Sequence, residues 1–119
     1  MVTTVSWDEL CRELELTLHT SRLTLCRRIS GAYCGDLLSD VLAHARPGSL
    51  WITIQKHRNV IAVSSLAGLS GVIVTGGREP NPDTLESAEK ELLPVFSTPL
   101  DNFTAAGRLF GLLARDGKT

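Results

Sequence analysis

Three short clusters in this chain of 119 residues have types and spacings suited to chemistry. Lys56-His57-Arg58 follows Leu50–Gln55, a β-branched and aromatic run that reads as a strand. Thr75-Gly76-Gly77-Arg78 closes Gly71–Thr75, a continuous apolar run of the kind covered on both faces. Ser97-Thr98 follows a brief strand at Pro94–Ser97. If these runs belong to one open sheet, the clusters meet beyond the strands' carboxyl ends, where such sheets collect ligands. Glycine lets a backbone approach a ligand closely, and helix N-termini and cations favour anions. The chemistry implied is capture of a small anion, a nucleotide or phosphate, by Lys56, His57, Arg58, Thr75, Gly76, Gly77 and Arg78. A plainer account fits the same residues: a tight turn after a buried strand, with solvated cations around it.

Covalent chemistry finds little support. A phosphate-gripping loop needs GxxxxGK[ST] between strand and helix. The terminal Gly117-Lys118-Thr119 imitates its end, but Gly111 is one position too far away and no helix can follow. Gly76-Gly77 is not GxGxxG. Among the dispersed His19, His44 and His57, the exit-turn His57 is the one placed for proton transfer, with no partner carboxylate identifiable. Ser64-Ser65 lacks a GxSxG elbow. Cys11, Cys26 and Cys34 have no CxxC spacing and read as reduced, packed thiols. Asp36 and Asp40 lie one helical turn apart, but Asp36 reads better as a helix cap. No catalytic residue, metal site or cofactor is expected.

These clusters need a scaffold. Ser6-Trp7-Asp8-Glu9 fits a capping box opening a helix that ends near Glu15. Leu16–Leu18 and Leu23–Ser30 read as strands, and Gly31–Gly35 as a glycine-bounded loop. Leu37, Leu38, Val41, Leu42 and Ala45 make the apolar face of a helix capped by Asp36 and stopped by Arg46-Pro47-Gly48. Asn59 caps a helix over Val60–Leu69 that is apolar on most of its circumference. Asn81 caps another, with Pro82 at its first position and Leu85, Ala88 and Leu92 inward. The last helix starts near Asp101 or Asn102 with Phe103, Ala106, Phe110 and Leu113 on one stripe, and Arg115–Thr119 is a polar tail. Strands and helices alternating through short turns predict an α/β fold. We expect three α/β/α layers around a mainly parallel sheet of about four to five strands, in one domain over 1–119.

A net charge of −1 supplies no field for nucleic acid, and no basic stripe interleaves with aromatics. No apolar run approaches the roughly 20 residues of a membrane span, and MVTTVSWDEL lacks a signal-peptide pattern, so a cytoplasmic location is expected.

Over residues 30–113 the chain resembles the DRTGG domain family. The resemblance rests on Gly35-Asp36-Leu37-Leu38-Ser39-Asp40, Trp51-Ile52-Thr53-Ile54-Gln55, Asn59-Val60-Ile61-Ala62-Val63 and Val74-Thr75-Gly76-Gly77-Arg78-Glu79-Pro80. Phe96-Ser97-Thr98, Phe103 and Ala106-Gly107-Arg108-Leu109 continue it. Ile73 and Val74 stand where the naming motif has Asp and Arg. The resemblance implies a fold like the N-terminal domain of HPr kinase/phosphorylase, without the kinase half. It also implies a regulatory or assembly role rather than a catalytic one. The apolar Asn59–Leu69 helix adds an expectation of self-association, since excess apolar surface marks interfaces. A homodimer, a partner protein and a small anionic ligand are the partners expected; a nucleic acid or a membrane is not.

Overall fold

The computed structural model describes residues 5–115. Five strands form one sheet in the order β1-β5-β4-β3-β2: β1 (Thr17–Leu18), β2 (Gly31–Cys34), β3 (Ser49–Thr53), β4 (Gly71–Val74) and β5 (Val95–Ser97). The pairs β2/β3, β3/β4 and β4/β5 are parallel, while β1 joins β5 antiparallel. The mainly parallel α/β architecture is the one expected. Every side chain of β3, β4 and β5 is buried, so both faces of the sheet must be covered.

Two cores provide the cover. Helices α1 (Trp7–Glu13) and α5 (Asn102–Arg115) lie on one face, where Leu10, Leu14, Leu50, Ile52, Ile73, Phe96 and Leu109 pack together. On the other lie α2 (Leu38–His44), α3 (Asn59–Ala67) and α4 (Pro82–Glu91), packed through Val41, Trp51, Val60, Ile61, Val72, Val74 and Val95. Ile73 belongs to the first core and Val74 to the second, so the departure from the naming motif completes both.

Local signals explain most of the elements. Ser6 accepts from Glu9 N at 3.1 Å, which starts α1. Pro82 follows Asn81 at the start of α4. Asp101 starts α5 by accepting from Thr104 N at 2.8 Å, and that bond holds its carboxyl below the usual carboxylate range. The 59–67 segment is helical despite its β-branched residues. It is wedged between α2 and α4 and buries Val60, Ile61, Val63 and Ser64.

Several expectations fail, each for an identifiable reason. Leu23–Ser30 is not a strand: Arg22–Thr24 forms a 3₁₀ turn, and the edge of β3 is taken by Gly31–Cys34, the segment expected to be a loop. Arg27 anchors the 19–30 segment instead. It donates to Leu69 O at 3.0 Å, Glu91 O at 2.9 Å and Leu92 O at 3.3 Å, closing the ends of α3 and α4. Strand β3 ends at Thr53, because the Ile54 N–H is drawn to Asp36. Asp36 caps no helix; Leu37 occupies the N-cap of α2 without a side-chain bond. Arg58 rather than Asn59 precedes α3.

Leu92 is about half exposed. At φ +51° it turns left-handed after α4, so Leu93 enters the core in its place. In α5 the buried stripe is Ala105, Leu109, Leu112 and Leu113, which leaves Phe103 at 88% and Phe110 at 61% exposure. Leu37 and Leu42 are also exposed. Cys11 is half-buried, whereas Cys26 and Cys34 are exposed rather than packed. The terminal Gly117-Lys118-Thr119 and residues 1–4 lie outside the described residues.

The Ser64 hydroxyl is fully buried with no hydrogen-bond partner among the described residues. An unpartnered buried hydroxyl is costly, and alanine is the better helix former. Ser64→Ala should therefore raise stability by about 1 kcal/mol in urea unfolding. A loss of stability would mean that the hydroxyl is satisfied in solution.

Candidate functional site

The carboxyl ends of the parallel strands form one rim, built from the loops after β2, β3, β4 and β5. Asp36, just beyond β2, is its hub. The Asp36 carboxylate accepts from Thr53 Oγ1 at 2.8 Å, from Ile54 N at 2.9 Å and from Asn102 Nδ2 at 3.5 Å. Gln55 Nε2 donates to Asp36 O at 2.8 Å, and Trp51 Nε1 to Gly35 O at 2.8 Å. Thr75 Oγ1 and Asn102 Oδ1 are hydrogen-bonded, which ties the end of β4 to the start of α5. Thr53 and Thr75 are fully buried beneath this network. In such a place a missing partner costs more than the bond itself gains.

The structure separates the seven residues expected to bind an anion. Thr75 belongs to the Asp36 network. Gly76 and Gly77 adopt left-handed φ values of +73° and +71°, which glycine takes without strain. Their N–H groups are spent inside the chain, on Leu100 O at 2.8 Å and Thr98 O at 2.9 Å. Arg78 folds back over the turn and donates to Thr75 O at 3.1 Å; a side chain at position 76 would collide with its guanidinium.

The Lys56 carbonyl accepts from Asn81 N at 3.1 Å and Thr84 Oγ1 at 2.8 Å. His57 Nδ1 lies 2.9 Å from Asn81 Nδ2. Arg58 borders a separate groove between α3 and α4, where Asp83 and Glu91 also stand. The rim is therefore cationic at its surface, but its backbone donors point inward.

Sequence reasoning overlooked two features. Asp36, Gln55 and Asn102 act as one network; the polar residue opening α5 was a signal, but it has meaning only once β2 lies beside β3. The other feature is His19, whose Nε2 lies 2.7 Å from Ser97 Oγ while Nδ1 is 4.0 Å from the Glu79 carboxylate. The order of groups is that of a hydrolase, but the Ser97 side chain is buried within the paired β5, and the bond fastens β1 to β5. Beside Asp36, burial and then the Asp36 charge push the Cys34 thiol up, which keeps it protonated and weakly nucleophilic. Among the described residues no group of three His, Cys, Asp or Glu side chains could hold a metal ion. No helix there is long and apolar enough to cross a membrane.

Removing the hub should be felt across the rim. Asp36→Ala leaves Thr53 Oγ1 and Ile54 N without their acceptor and should cost about 2–3 kcal/mol in urea unfolding. Asp36→Asn keeps one acceptor oxygen and should cost less. Equal losses in the two variants would show that the bonds matter less than the space filled.

The family comparison matches residues 9–112 to the DRTGG domain. The solved CBS and DRTGG domains of the regulatory region of Clostridium perfringens pyrophosphatase, complexed with the activator diadenosine tetraphosphate, share this fold. The likeness has a TM-score of 0.74 at 22% identity, over 96% of this chain and 50% of that one. This chain thus spans about half the length of that structure. No curated protein matches. With its five-stranded sheet, its Thr75-Gly76-Gly77 turn and a match over nearly its whole length, the chain belongs to the DRTGG domain family.

Proposed function

We propose that this protein is a non-catalytic regulatory or assembly module that acts as a homodimer in the cytoplasm. The observation that carries this reading is the contrast between its two most distinctive surfaces. The rim, where an α/β enzyme would place reactive groups, is consumed by internal bonds from Asp36, Thr75, Gly76, Gly77 and Arg78. Large apolar side chains meanwhile stand in solvent on α5, where Phe103 is 88% and Phe110 61% exposed. A chain with quiet chemistry and an exposed aromatic surface is suited to binding another protein surface. The regulatory setting of the pyrophosphatase relative agrees with this. The helix first expected to supply the interface, α3, is largely covered by α2 and α4, with Leu66 its main exposed apolar residue.

A second reading is a sensor for a small anionic nucleotide, with Lys56, His57, Arg58 and Arg78 as the surface contacts and Thr75, Gly76 and Gly77 shaping the turn. The relative's complex with diadenosine tetraphosphate favours it. The inward-facing Gly76 and Gly77 amides require that the cations rather than a backbone cradle carry recognition.

Light scattering at micromolar concentration should give twice the monomer mass; a monomer throughout would sink the dimer. Calorimetry with adenine nucleotides, diadenosine tetraphosphate included, decides the second reading. It requires heat that falls in Arg78→Ala, and silence at millimolar nucleotide would remove it.

A further inference from the structure

The two edges of the sheet are unequal. At one end β1 has two residues, pairs antiparallel with β5, and is fastened by the His19–Ser97 bond. At the other, β2 is paired with β3 on one side, and among the described residues no strand lies along its outer side. Natural edges are usually blunted by charge, proline or a bulge. Gly31-Ala32-Tyr33-Cys34 has none of these. Above it, on the α5 face, a groove of about 690 Å³ runs between the sheet and the helix, with Ala32, Cys34 and Ile52 on one side and Ala106, Phe110 and Leu113 on the other.

We infer that the occupant of this edge is a second copy of the chain. The two β2 strands run antiparallel about a two-fold axis, and the two α5 helices meet above them through Phe103 and Phe110. This inference rests on the self-association proposed above and assigns it a surface. Antiparallel strand addition keeps each α5 on the same face of one continuous sheet, so the exposed Phe103 and Phe110 meet their own copies.

Three further observations favour a second copy. The first is charge. Identical faces repel when they carry one sign, and this pair of rings carries none. Both arginines of α5 are held on the α1 side: Arg108 by Glu13 O and Glu15 at 3.0 and 3.1 Å, and Arg115 by Glu9 at 2.6 Å. The second is complementarity at the strand ends. Arg46, at the amino end of the edge, is carried toward the carboxyl end of the other copy, where the exposed Asp40 stands beside Tyr33 and His44. The third is area. At 88% and 61% exposure the two rings present on the order of 300 Å² per copy. Both copies together then offer about 600 Å², a large share of the roughly 1,200–2,000 Å² of a specific interface, with the strand edge and groove supplying the remainder.

The test is the double variant Phe103→Asp, Phe110→Asp. Both positions are exposed, so the monomer should keep its circular dichroism and unfolding midpoint. Light scattering over a dilution series should show wild type as a dimer and the variant as a monomer, with dissociation at least 100-fold more favourable. Amide exchange in Gly31–Cys34 should be slow in the dimer and speed up in the variant. A variant that stays dimeric would overturn this surface while leaving self-association intact. A wild type that is monomeric would remove both. Loss of the dimer with unchanged exchange in Gly31–Cys34 would overturn the strand pairing. A wild type that stays monomeric until an extended peptide is added would assign the edge to a different partner.

Discussion

Burial of β4 on both faces is the constraint from which the rest follows. Gly71–Val74 lies between β3 and β5 with every side chain out of water. Val72 and Val74 feed one core and Ile73 the other, so neither layer of helices is optional. A strand in that position leaves no room for error at its ends. A side chain on Gly71 would approach Pro94 O to 3.2 Å and the Leu50 side chain to 3.3 Å. At the other end, Thr75 turns the chain into a left-handed glycine pair.

That constraint also shapes the rim. Parallel strands buried on both faces deliver their final polar groups to a crowded edge, where each donor needs an acceptor. Asp36 meets this need for β3, Asn102 for β4, and the carbonyls of Thr98 and Leu100 for the glycine turn. The result is a rim stabilised from within. Its cations remain at the surface, but the donors that would hold a phosphate tightly are engaged. A rim of this kind is better suited to setting the spacing of elements than to promoting bond making.

The segment from His19 to Ser30 plays a comparable part at the opposite end of the sheet. It has little regular structure, yet it carries many of the long-range bonds. Ser21 reaches Glu89, Arg27 reaches the ends of α3 and α4, and the Arg28 carbonyl accepts from Ser70. The spread, planar fork of the guanidinium lets Arg27 reach three separate carbonyls at helix and turn ends, one from each nitrogen. The sheet is therefore gripped at both ends by polar side chains, and among the described residues no strand lies along the outer side of the four-residue β2.

By itself the sequence determined the class of the fold. The alternation after Leu50, the both-faces-apolar run at Gly71, the proline and glycine stops and the TGG turn are local signals, and each records a backbone preference or a burial pattern that any fold containing it must honour. The family was legible for the same reason. What tertiary structure decided were matters of pairing and direction. Gly31–Cys34 becomes a strand because β3 offers it an edge, and Leu23–Ser30 does not because Arg27 has helix ends to bind. Asp36 serves a neighbouring strand instead of its own helix. Phe103 and Phe110 face outward because Ala105, Leu109, Leu112 and Leu113 fill the core. Each of these depends on partners distant in the chain, and spacing along one segment holds no information about them.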